Sequence, residues 1–225
     1  MNTVLTGNES DFQFRQRLAF FALFVVISVS LFCKFVVDKH LSLDGVSYFF
    51  HVLENRGFAD IAWSRGFTEY LTEWPLVLAV KLGVTNVAVL VKIFAIGIYF
   101  PYCLSFFLCW YVVRDSAPSL LWFPLAGYIG FNILSDYDLI ADHHVLAVMT
   151  WPLLLLLLKD RELRWSEGVM LWILSILYSR MYETAVMSAL LLAVVAAGRL
   201  FLFQKKRERV IIIVGIVLLV IAAVV

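Results

Sequence analysis

Between positions 86 and 113 the chain carries one charged side chain, Lys92, and that stretch alone limits what the polypeptide can fold into. A helix rises about 1.5 Å per residue and the hydrocarbon core of a bilayer is about 30 Å thick, so about 20 apolar residues suffice for one crossing. The same ruler marks apolar runs at 18–37, 120–134, 145–158, 169–178, 184–203 and from 210 onward. With 63% hydrophobic and 16% charged residues over 225 positions, too little polar surface remains to cover such helices in water. The expected fold is all-α: a polytopic helical membrane protein of about seven transmembrane helices, forming a single transmembrane domain over 1–225. The run 18–37 is too long for a signal-peptide core and lacks a small-residue cleavage site, so it is expected to be retained. Pro101 removes a backbone donor and is expected to kink the span that holds it. The last run reaches Val225 without a polar stop or anchoring residue, so the chain is expected to be the N-terminal part of something longer.

Eighteen Lys and Arg stand against 17 Asp and Glu, a net charge of +1 that excludes both a polybasic nucleic-acid binder and an acidic disordered chain. Placement says more than the total. Arg15, Arg17, Arg114, Lys159, Arg161, Arg164, Lys205, Lys206, Arg207 and Arg209 share one side if the N-terminus is cytoplasmic, as basic loop residues direct. The other side receives Asp38, Asp44, Glu54, Asp60, Glu69, Glu73, Asp136, Asp138, Asp142 and Glu183. Acidic chemistry is therefore expected on the extracytoplasmic face of a plasma membrane. Lys34 and Lys92 fall near span ends, where long stems can snorkel. Cys33, Cys103 and Cys109 have no zinc or disulfide spacing and are expected to be small buried hydrophobes.

The first outer loop, 38–84, is polar and rich in aromatics. Val46, Phe49, Phe50 and Leu53 recur at helical spacing and Gly57 offers a stop, which predicts an amphipathic juxtamembrane helix over 45–55. A second short helix is expected from Pro75, a residue favoured in the first helical turn, to about Gly83. Asp44 fits two roles, an N-cap for the backbone donors of the first helix and a carboxylate placed to act as a base at the membrane surface. A cap is also a fixed carboxylate, so the roles are compatible.

The second outer loop reads Ser135-Asp136-Tyr137-Asp138-Leu139-Ile140-Ala141-Asp142-His143-His144. In an extended segment, Asp136 and Asp138 fall on one side, about 6 to 7 Å apart, close enough for one Mg²⁺ or Mn²⁺ to bridge. A solvated acidic turn is the alternative. His143 and His144, at the start of the next run, suit a substrate-binding or structural role better than zinc. Arg180 and Glu183 flank a very short connection. They either pair with each other at i,i+3, or Arg180 offers its planar fork of donors to a phosphate.

A first span, then Asp44-Gly45-x-Ser47-Tyr48 opening a juxtamembrane helix, then Glu73-Trp74-Pro75-Leu76 opening another, resembles the first outer loop of the GT-C superfamily of integral-membrane glycosyltransferases. The likeness is one of arrangement, with one proline where the family has a Pro-Pro-Leu-like segment and Gly45 where an acid often follows the aspartate. It implies a polyprenyl-phosphate-linked sugar donor, inverting transfer to an extracytoplasmic acceptor, and Asp44 as general base. It further implies a divalent cation held by Asp136 and Asp138, as in some family members, with Arg180, Glu183, His143, His144 and Tyr48 contacting substrate and the lipid tail lying along the spans. The competing class is a non-enzymatic lipid or polysaccharide transporter, or a subunit of a membrane complex. A transporter calls for polar or broken helices near the midplane, whereas the runs 145–158, 184–203 and 210–225 are almost uniformly apolar.

Overall fold

The computed structural model describes residues 6–42, 44–59, 66–115, 118–133, 142–178, 181, 185–202 and 205–224. Among them are helices and turns and no strand, in the order α1 (Thr6–Val36), a 3₁₀ turn (Lys39–Leu41), α2 (Asp44–Asn55), α3 (Gly66–Lys81) and α4 (Val87–Val113). A second 3₁₀ turn (Pro118–Leu121) leads into α5 (Trp122–Gly127), which runs on as a π-helical turn (Tyr128–Ile133). There follow α6 (Asp142–Leu158), α7 (Trp165–Tyr178), α8 (Ala185–Leu202) and α9 (Lys206–Val224). The all-α expectation holds for the described residues. Two of their helices, Val87–Val113 and Ala185–Leu202, are long and apolar enough to cross a bilayer, with mean hydropathies of 2.0 and 2.2, and α6 and α7 are shorter apolar helices.

Local chemistry accounts for the boundaries. The α4 helix starts where the Asn86 carboxamide accepts from the amides of Ala88 at 3.0 Å and Val89 at 3.3 Å, which satisfies donors that have no partner inside the helix. It continues through Pro101 without interruption to Val113. The amphipathic helix expected at 45–55 is present as α2, with Tyr48, Phe49 and Val52 turned inward. The second loop helix begins earlier than expected, at Gly66 instead of Pro75, and spans 16 residues. A proline disfavours the helical region for its predecessor without forbidding it. Pro75 therefore sits inside α3, where it deprives the Leu71 carbonyl of its usual amide partner. Gly97 of α4 lies directly against this stretch. A Cβ there would collide with the Thr72 carbonyl and come within 3.1 Å of Pro75 Cδ, so glycine permits α3 and α4 to meet backbone to backbone.

Side-chain hydrogen bonds cross the apolar interior at few points. Ser105 of α4 donates to the Val148 carbonyl of α6 at 2.5 Å, Thr150 of α6 and Tyr178 of α7 share a 2.7 Å bond, and Trp172 of α7 donates to the Ile211 carbonyl of α9 at 2.9 Å. Each joins two helices that otherwise touch through Leu, Ile, Val and Ala. The outer surface is apolar too: Phe32, Leu191 and Val194 are each about two-thirds exposed. Buried titratable groups concentrate instead at the two ends of the bundle, with His40, Glu69, Glu73 and His144 at one and Lys159, Glu167, Arg199 and Glu208 at the other. Of the cysteines, only Cys109 is buried. Cys33 and Cys103 face outward from α1 and α4, which corrects the expectation that all three are interior; in an apolar exterior a thiol is as well placed outside as in.

Candidate functional site at the loop-helix end

The end that carries α2 and α3 is organised around the turn after α1. Asp38 takes a left-handed conformation at φ 53°, tolerable for a short polar side chain, and redirects the chain into the 3₁₀ turn. Lys92 of α4 reaches it: the ammonium donates to Asp38 Oδ1 at 2.6 Å and to the Phe35 carbonyl at 3.0 Å, while lying 4.9 Å from the Phe35 ring centre. Lys92, expected to snorkel at a span end, is held here by two oxygen acceptors. Lys34 is buried and bonded. His40 is fully buried, edge-on to the rings of Phe94 and Tyr99 at 6.0 and 6.2 Å. Burial holds its imidazole below the ordinary histidine value, with Asp38, 3.9 Å away, opposing that shift. The His40 carbonyl occupies the place where a Cβ on residue 45 would stand, so Gly45, directly after Asp44, is fixed by close approach.

Asp44 itself opens α2, with its side chain exposed and its charge at the positive end of the helix dipole. Tyr48, one turn on, is buried in a cluster with Phe49, Val52, Leu76 and Phe94, so its ring belongs largely to the packing beneath the loop.

The α3 helix supplies what the sequence reading missed. With its start at Gly66, Glu69 and Glu73 stand one turn apart on the same helix, each about 1% exposed, and both carry polar partners. Glu73 Oε2 accepts from the Ala59 amide at 2.8 Å and so ties the end of the α2 segment to α3. Thr68 donates to the Met181 carbonyl at 2.5 Å, and Thr72 donates to the Thr68 carbonyl at 2.8 Å. Met181, the residue between Arg180 and Tyr182, is fully buried against this face. The repeat Thr68-Glu69 and Thr72-Glu73, four residues apart, was the available signal. It becomes legible only when the helix is traced backward from Pro75.

Of the residues singled out from sequence, Asp44, Tyr48 and His144 are described, and His144, in the first turn of α6, is about 1% exposed and has an interacting partner. Asp136, Asp138, Arg180 and Glu183, and the side chain of His143, lie outside the described residues. The expected convergence of Asp44 with the second-loop acids and Arg180 is therefore not brought together by the described residues. Among those residues no group of three or more His, Cys, Asp or Glu side chains is placed to hold a metal ion.

The opposite end is a closed ion network. Glu167, in the first turn of α7, accepts from Lys159 at 2.7 Å, Arg161 at 3.0 Å and the Arg164 amide at 2.8 Å, and Lys159 also donates to the Val112 carbonyl of α4. Burial pushes the Glu167 carboxyl up, but the bond from Lys159, the Arg164 amide and the nearby cations outweigh it and hold the group below its ordinary value. Arg199 of α8 meets Glu208 of α9 through Nε at 3.0 Å and Nη2 at 2.7 Å. It also donates to the Leu157 carbonyl in the last turn of α6 and to the Lys159 and Arg161 carbonyls beyond it. These groups pair with one another and fasten five helices, with Arg161 Nε and Glu208 Oε2 the buried atoms of the network that have no hydrogen-bond partner among the described residues. Compared with models of known protein families, with curated proteins and with solved structures, the chain matches none.

Proposed function

We propose that the chain is an integral membrane protein whose seven apolar segments cross the bilayer, and that it transfers a sugar from a polyprenyl-phosphate-linked donor to an acceptor on the extracytoplasmic side. The observation that carries the proposal is the division of labour at the loop-helix end. An exposed carboxylate, Asp44, stands on a helix terminus held by the Gly45 and His40 contact, beside a helix that buries two further carboxylates, Glu69 and Glu73. A base has to reach its acceptor and be rigid, and Asp44 meets both conditions.

In this reaction Asp44 takes the proton of an acceptor hydroxyl as that oxygen attacks the anomeric carbon; the bond to the phosphate oxygen breaks with inversion, and the phosphate leaves with its electron pair. Arg180 offsets the charge that grows on the leaving group, and Asp136 and Asp138 would hold a divalent ion that would supply further neutralisation. The apolar exterior of α1, α4 and α8 suits contact with lipid tails, and the basic residues at the closed end support a cytoplasmic side for that end and the N-terminus. GT-C resemblance supports the reaction class by analogy of arrangement.

The test is mass-spectrometric detection of sugar transfer from purified polyprenyl-phosphate donors by the purified protein in detergent. Asp44→Asn keeps the shape of the side chain and removes its basicity, and is expected to lower turnover by about 10²–10⁴-fold. Full turnover in that variant removes Asp44 from the chemistry; absence of transfer by the unaltered protein across a panel of donors and acceptors favours the carrier or complex-subunit class.

A further inference from the structure

The sides of α1 and α4 do not close on each other. Phe20 and Phe24 meet Phe106 with ring centres 6.2 and 6.0 Å apart, and beside this contact a cavity of about 430 Å³ opens, lined by Phe20, Phe24, Leu31, Tyr102, Phe107 and Trp110. Phe24, Phe107 and Trp110 are themselves substantially exposed, so the cavity is a groove open to the bundle's surroundings. A void this large and this apolar holds no water comfortably, since each water needs two to four polar partners.

The groove has a charged end. The helices run antiparallel, and Arg17 lies three residues before Phe20 on α1 while Arg114 lies four residues after Trp110 near the end of α4. At about 1.5 Å per residue, both stand roughly one turn beyond the same end of the groove. Both are exposed. The Arg114 guanidinium lies 5.3 Å from the Trp110 ring and 4.7 Å from the Tyr111 ring, which aims it along the aromatic wall. Asp115 offsets part of this charge, but it is shared between Arg114 at 3.6 Å and Arg164 at 3.2 Å, so arginine remains in excess.

The geometry points to a binding site for an anionic phospholipid of the cytoplasmic leaflet, with one hydrocarbon chain in the α1–α4 groove and the headgroup phosphate between Arg17 and Arg114. The site rests on the membrane placement proposed above and is independent of the sugar chemistry, which lies at the other end. Charge complementarity selects the occupant: a zwitterionic lipid would fill the groove equally well but gains little from the two arginines.

Native mass spectrometry of the detergent-purified protein incubated with dioleoyl phosphatidylglycerol or dioleoyl phosphatidylcholine tests this. Each arginine near a membrane surface is worth about fivefold in binding of an anionic lipid, so retention of phosphatidylglycerol over phosphatidylcholine by at least about tenfold is expected. Arg17→Gln with Arg114→Gln should bring the two lipids level. Ser28→Trp, which fills the groove from an exposed α1 position, should lower retention of phosphatidylglycerol with both arginines present. Equal retention of the two lipids by the unaltered protein, an undiminished preference in the double arginine variant, or no effect of Ser28→Trp would each overturn the proposal. Alkaline carbonate washing of native membranes separates this from failure of the membrane placement: release of the chain refutes the placement, while retention with no lipid preference refutes the site alone.

Discussion

Replacing Arg199 with alanine probes the closed end most directly. Its guanidinium makes two contacts to Glu208, which is about 1% exposed, and donates to three carbonyls at and beyond the C-terminus of α6, where the helix leaves acceptors without amide partners. Truncation leaves the Glu208 carboxylate buried without its cation, a loss of about 3–5 kcal/mol in comparable buried pairs. The freed carbonyls add to the cost to the extent that water cannot reach them. A loss of this size is a large fraction of the total stability of a typical domain, about 5–15 kcal/mol. The informative comparison is therefore with Arg199→Met combined with Glu208→Met, which removes both charges and keeps side-chain volume. If the uncompensated charge is the cause, the double variant should recover most of the loss, whereas Arg199→Lys should recover only part, because an ammonium cannot fork. Thermal or denaturant unfolding in detergent, followed by tryptophan fluorescence, reads all of these. A loss under about 1 kcal/mol for Arg199→Ala, or a double variant no better than the single one, would refute the assignment of this end as an electrostatic fastening.

Glu167 sets a pH dependence. Its folded value is depressed, so its contribution is fully present above the unfolded glutamate range and is lost as pH falls through the lower folded value; the unaltered protein should lose stability on acidification below about pH 5, and Glu167→Gln should flatten that slope. Gly97→Ala places a methyl group on the Thr72 carbonyl and should cost about 1–3 kcal/mol in unfolding experiments. Gly198→Ala, on α8 with open space around it, should be neutral or stabilising by up to about 1 kcal/mol, and similar losses at both positions would discredit the close α3–α4 contact.

Several helices were legible from hydrophobic length or periodicity, whereas the run expected as one span at 120–134 divides over its described residues into a 3₁₀ turn, the short α5 and a π-helical turn. The run 86–113 became Val87–Val113, 184–203 became Ala185–Leu202, and 45–55 became Asp44–Asn55. Sequence reasoning failed where a long-range contact decided the outcome. Pro75 favours a helix start on local grounds, yet α3 begins nine residues earlier, because Thr68 finds Met181, Glu73 finds the Ala59 amide and Gly97 makes room for the proline turn. None of these partners is close in sequence. The same limit hid the closed end. Lys159, Arg161 and Arg164 were legible as orientation signals, but their bonds to Glu167, and those of Arg199 to Glu208, depend on how α6 to α9 pack.

The proposed reaction sets a charge requirement of its own. At the closed end each buried acid has cationic partners in contact: Lys159 and Arg161 for Glu167, Arg199 for Glu208. At the loop-helix end Glu69 and Glu73 are buried, each with interacting partners, while Asp44 is exposed. A phosphate-linked donor brings one more anion to that face, and its leaving group gains charge as the glycosidic bond breaks. The proposed transfer would need a cation close to the phosphate, which Arg180 would supply, or which Asp136 and Asp138 would supply by holding a divalent ion. The two sources differ in their response to a chelator. If Arg180 suffices, EDTA leaves turnover intact and Arg180→Ala abolishes it; if the metal is essential, EDTA abolishes turnover and added Mg²⁺ or Mn²⁺ restores it.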